Sequence, residues 1–158
     1  MLALVAALGC AMPAAAQDSA FPSATEKSFR VDDSGTVVLD PVLQMQWQPS
    51  GRANTNSPIV AASTRVSVQL NLASWEGRVG RIYMTLPRTT GPTVRASWNT
   101  GGTLLPGSLI SGDRSVVFIG SISGPILRDL IDIKLEADGA RLIQPEALVF
   151  GFEIEIDR

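Results

Sequence analysis

The chain has 158 residues, a net charge of −2, no histidine and one cysteine, Cys10. A length of this order suggests one domain around one sizeable core. The missing histidine removes the commonest general base and transition-metal ligand, and no basic stripe points to nucleic acid as a partner.

Met1 to Gln17 reads as a secretory leader. Leu2 to Leu8 is apolar and Ala14-x-Ala16 is a small-residue cleavage site, although no Lys or Arg precedes the apolar stretch. We expect residues 1–16 to be a signal peptide and residues 17–28, rich in small and polar side chains, a flexible lead-in. Ala7-Leu8-Gly9-Cys10 loosely resembles a lipobox, so lipid anchoring at Cys10 is the alternative. Cleavage at the Ala-x-Ala site leaves no cysteine, hence no disulfide and no thiol nucleophile. No later apolar run is long enough to suggest a membrane span.

Residues 29–158 read as a single β-domain. Phe29, Val31, Asp33, Gly35, Val37 and Leu39 share one parity, while Asp32-Asp33-Ser34-Gly35 also fits a tight turn between two short strands. Leu43, Met45 and Trp47 alternate with glutamines in a half-buried strand, and 52–57 is a polar loop. Val66, Val68, Leu70 and Leu72 alternate with polar residues, as do Ile82, Met84 and Leu86, and then Val94, Ala96 and Trp98. Leu104 and Leu105 lead into a Pro106-Gly107 turn, Ser115 to Ile119 is a short strand, and Pro125 to Asp129 fits one helical turn. Ile131, Ile133 and Leu135 alternate next, Asp138-Gly139 signals a hairpin, and Arg141 to Ile143 is a short strand. From Ala147 to Ile156 the apolar residues Leu148, Phe150, Phe152, Ile154 and Ile156 fall on every second position. Eight or nine short strands with almost no helical period predict an all-β, immunoglobulin-like antiparallel sandwich, with a closed barrel as the alternative.

Enzyme chemistry is not expected. No Gly-x-Ser-x-Gly elbow occurs, and neither metal nor cofactor is indicated. Glu153 and Glu155 share a strand face and could serve a glycosidase, but a solvent-facing or edge-guarding pair is the simpler reading. Asp32-Asp33 lacks the ligand spacing of a calcium loop and reads as a turn. Arg78, Arg81, Arg88 and Arg95 read as a solvated face, with anion or glycan contact as the lesser alternative. Trp47 and Trp98 share parity with core residues, which leaves Trp75, in a loop, as the candidate ligand contact.

An exported, helix-poor sandwich whose polar lead-in runs into an alternating segment resembles the pilin subunits of chaperone–usher fimbriae. The matching parts are Glu26 to Leu39 and Ala147 to Ile156. With no disulfide and no penultimate tyrosine, the chain is closest in character to the colonization-factor branch. The resemblance implies a sandwich that lacks one strand and receives it from a neighbour by strand addition. Phe29, Val31, Gly35, Val37 and Leu39 would then be donor-strand residues, with Gly35 as the small residue midway. Leu148, Phe150, Phe152, Ile154 and Ile156 would flank the acceptor groove. Implied partners are neighbouring copies or related subunits, a periplasmic chaperone and an outer-membrane usher, with passage through the periplasm to a surface fibre that serves adhesion. Two alternatives stand beside this: 29–39 as the ordinary first strand or hairpin of a complete sandwich, and the whole chain as a self-contained secreted or periplasmic module binding a glycan or an envelope protein.

Overall fold

A computed structural model describes residues 27–48, 59–141 and 148–157. The expected leader, Cys10, most of the lead-in, the polar loop at 52–57 and the stretch 142–147 lie outside the described residues. Period-two alternation produces two antiparallel sheets. The first runs β1 (Ser28–Arg30), β10 (Gly151–Ile156), β5 (Val79–Thr85), β8 (Arg114–Ser121). The second runs β2 (Val37–Val38), β4 (Ile59–Asn71), β9 (Ile126–Asp138), β6 (Val94–Thr100), β7 (Gly107–Ile110), and β3 (Gln46–Trp47) also pairs with β4. No α-helix occurs among the described residues.

The hub of the second sheet is the β4–β9 pair, in unbroken register from Ile59↔Asp138 to Asn71↔Ile126. That register puts Val66, Val68 and Leu70 on the same face as Ile131, Ile133 and Leu135. Against them pack Ile82, Met84, Phe152 and Ile154 of the first sheet, and the two inner faces form one core. A bulge on β8, between the partners of Ile82 and Tyr83, turns Val117 inward as well. Trp98 is buried, and its indole N–H donates to the Leu105 carbonyl at 2.9 Å.

Several expectations need correction. The segment 29–39 is not one strand. Ser34 N–H donates to the Asp32 carboxylate (3.1 Å) and Thr36 N–H to the Asp33 carbonyl (2.8 Å), so a turn separates β1 in the first sheet from β2 in the second. β1 begins at Ser28, inside the expected lead-in. Trp47 is 63% exposed rather than core, because the two-residue β3 lies at a sheet edge. Its ring rests instead on Gly139, where a Cβ would come within 2.7 Å of two ring carbons. Pro125 to Asp129 is not a helical turn: Ile126–Asp129 continues β9 because the long β4 offers partners as far as Asn71. Among the described residues Asp138-Gly139 makes no hairpin: a 3₁₀ turn follows at Gly139–Arg141, and β10 belongs to the other sheet. Arg141 therefore sits in that turn, and Leu142 and Ile143 lie outside the described residues. Leu148 to Phe150 precede the final ladder, which opens at Gly151. Among the described residues the sheets hold ten strands, including β7, which starts at Gly107.

Candidate functional site

β10 lies inside the first sheet. Its register with β5 (Phe152↔Met84, Ile154↔Ile82) turns Phe152 and Ile154 into the core. On its other flank the only partner among the described residues is the three-residue β1, paired as Ser28↔Glu155, Phe29↔Ile154 and Arg30↔Glu153. The ladder ends one residue on, where Val31 N–H donates to the Phe152 carbonyl at 2.9 Å. Ser28, Phe29 and Arg30 are exposed, whereas Val31 is 1% exposed and fills the space between the sheets. Beyond Val31, the Asp32 carbonyl accepts from Asn71 N–H of β4 at 2.9 Å. The segment thus crosses from one sheet to the other at a single buried side chain.

Of the candidate donor residues, only Phe29 and Val31 stand beside β10. Gly35 lies in the turn, and Val37 and Leu39 run along β4 with their side chains exposed. Of the candidate groove residues, Phe152 and Ile154 are fully inward and Leu148, Phe150 and Ile156 pack at the core's margin, while β1 and Val31 run beside Phe152 to Glu155 alone. Hydrogen bonds from Ser34 hold the Asp32 carboxyl below its ordinary range, which favours the charged turn.

The outer face of this sheet carries a polar network that alternation alone did not reveal. Glu153 and Glu155 are not an edge-guarding pair: they lie on an interior strand, and Glu155 is only 4% exposed. Arg114 Nη1 of β8 reaches Glu155 at 2.7 Å and Glu153 at 3.8 Å, and its guanidinium lies 4.2 Å from the Tyr83 ring centre. The hydrogen bond to Glu155 raises the Arg114 pKa, and burial, then the hydrogen bond and charge of Glu155, raise that of Tyr83. Glu153 Oε2 accepts from the Ser28 hydroxyl at 2.9 Å, so the network runs from β8 through β10 to β1.

Trp75, the candidate ligand contact, ends a 3₁₀ turn at Ala73–Trp75 and packs in part on the core. Its ring centre is 6.3 Å from that of Phe29, with the planes tilted by 49°. Lys27 Nζ lies 5.2 Å from the Phe29 ring centre. A shallow groove of about 630 Å³ beside Arg114 is lined by charges of both signs, Arg88, Asp113 and Glu153 among them, and has no consistent preference for an anion or a cation. Among the described residues no group of acidic side chains could hold a metal ion, and no helix is long and apolar enough to cross a membrane. No protein-family model, curated protein or solved structure matches this chain.

Proposed function

We propose that this chain is an exported, non-enzymatic subunit of a surface fibre that joins copies by exchanging β1. One observation carries the reading: among the described residues, a strand whose inner face is core is flanked on one side by three strand residues, anchored by one buried valine. Strand addition needs such a place, where backbone hydrogen bonds supply affinity and an inward side chain fills a pocket. A neighbour's β1 would make the same contacts in trans, and a head-to-tail contact that does not close gives a filament. In this reading a periplasmic chaperone occupies the flank of β10 in transit, an outer-membrane usher places the next subunit, and the finished fibre serves adhesion at the cell surface.

The test compares a chain beginning at Thr36 with and without a peptide copy of residues 26–35. The trimmed chain should melt at a lower temperature, and the peptide should raise the midpoint in proportion to the logarithm of its excess over Kd. A self-contained binding module predicts the opposite. A trimmed chain that stays a stable, soluble monomer and ignores the peptide would overturn the proposal.

A further inference from the structure

We infer that Trp75 and Glu153 select the sequence of the strand that lies beside β10, and that they fit a hydroxyl–aromatic–X–valine stretch such as Ser28–Val31. This inference rests on the exchange reading above. Two of the three receiving groups stand on parts of the fold that do not leave with β1. Trp75 N–H donates to the Leu72 carbonyl at 2.9 Å, and Leu72, itself buried, donates its N–H to the Pro125 carbonyl at 2.7 Å. The ring is therefore mounted on a turn tied to β4 and to the entry of β9. Glu153 belongs to β10 and is held from the far side by Arg114 at 3.8 Å. The third receiver is the space between the sheets that Val31 fills.

Each receiver reads one position. The tilted Trp75–Phe29 pair lies within the distance at which aromatic rings attract, so this position favours a ring. Glu153 accepts a hydrogen bond from the Ser28 hydroxyl, a bond that a strand without a hydroxyl at this position does not make. The inner space takes a β-branched side chain at Val31, where the two sheets meet. Together these positions also fix register. A slip of one residue would turn Arg30 inward, and a slip of two would set Val31 against Trp75 and Arg30 against the Ser28 receiver. The occupant this cradle fits is the β1 strand of a second copy of this chain. Trp75 is thus a positioning residue for a strand, since its ring already pairs with Phe29 of β1.

The experiment uses the full-length chain and fluorescent peptides of residues 26–35. Wild-type and Phe29→Ala peptides are titrated against wild-type, Trp75→Ala and Trp75→Phe chains. On the wild-type chain the Phe29→Ala peptide should bind about 2- to 12-fold more weakly. On Trp75→Ala the two peptides should bind alike, and Trp75→Phe should restore most of the discrimination, which a general loss of structure would not do. Equal binding of both peptides to the wild-type chain, or the same discrimination with Trp75→Ala, would overturn the inference. Should no peptide bind any chain even at concentrations above about 1 mM, where it outcompetes the tethered strand, exchange in trans fails, and the same cycle is then read in thermal melts of full-length Phe29→Ala, Trp75→Ala and the double variant. Non-additive shifts would keep Trp75 as the selector of the chain's own strand, and additive shifts would remove that role.

Discussion

Replacing Val31 with alanine tests whether β1 opens by itself. The substitution removes two methyl-sized groups from a side chain that is 1% exposed. At ~0.8 kcal/mol for each buried methylene this is ~1.6 kcal/mol of transfer free energy. A small unrelaxed cavity brings the total to about 2 kcal/mol. When β1 lifts from β10, position 31 enters water in both variants, so the whole difference acts on the opening equilibrium. About 2 kcal/mol is about a 30-fold larger open population. Uptake of a fluorescent peptide of residues 26–35, followed by anisotropy, reads that population when opening and closing are fast.

The control is Val94→Ala on β6, a valine of similar burial in the second sheet. It weakens the global fold by a similar amount but leaves the seat of β1 untouched, so its uptake rate should stay within about 3-fold of wild type if opening is local. Equal acceleration by both variants would mean that the peptide enters only through global unfolding. An unchanged rate for Val31→Ala would mean that Val31 does not hold the strand. Either result refutes the reasoning.

Glu155→Ala should destabilise the chain by about 2 kcal/mol in urea melts. This is below the 3–5 kcal/mol typical of a fully buried pair, because the Arg114 side chain is 44% exposed and water relieves its lost partner. A cost below about 0.5 kcal/mol would remove the carboxylate's structural role. Tyr83 is the only tyrosine, so absorbance near 295 nm reports it alone. Its midpoint should lie above the ordinary 10.0, because burial, and then the hydrogen bond and charge of Glu155, oppose ionisation. The sign follows: a raised folded value contributes stability that is fully present below pH 10.0 and is lost as pH rises through the folded midpoint. Glu155→Gln should move the midpoint down, and a midpoint at or below 10.0 in the native chain would contradict the geometry.

Inward faces were legible because alternation records burial directly. Val66 to Leu72, Ile82 to Leu86, Val94 to Trp98 and Ile131 to Leu135 all send their apolar parity into the core. The turn at Asp32–Gly35 was legible as one of two readings, since Asp and Ser offer side-chain bonds to a turning backbone. Parity fails at edges: Trp47 has the parity of a core residue, but a two-residue edge strand cannot cover an indole. Ile126 to Asp129 misled because strand length is set by the partner, here β4, rather than by local preference. Glu155 sits on the wetter parity and is nevertheless buried, because Arg114 and Tyr83 arrive from two other strands. The Phe29–Trp75 contact joins residues of the first strand and a distant turn, and no local pattern announces such a meeting.

Exchange between identical subunits faces a concentration problem that bears on the proposed partners. A second copy offers β1 the same contacts as its own β10, so contact energy does not favour trans over cis. The cis strand is tethered by the short turn at Asp32–Gly35, and a short tether gives an effective concentration on the order of 1 mM. At a chain concentration of about 1 μM the trans strand is disadvantaged roughly 1,000-fold, or ~4 kcal/mol. Purified chains at micromolar concentration should therefore stay closed on themselves, each with β1 in place. Refolding at millimolar concentration, where β1 leaves and returns among many equivalent sites, should yield filaments visible by light scattering. In the cell an escort that keeps the flank of β10 open, and a platform that presents the next subunit, would remove the same penalty, which would give a chaperone and an usher a physical task in the proposed assembly. Spontaneous filaments at 1 μM would show that the closed strand is strained at its turn and that no escort is needed to open it.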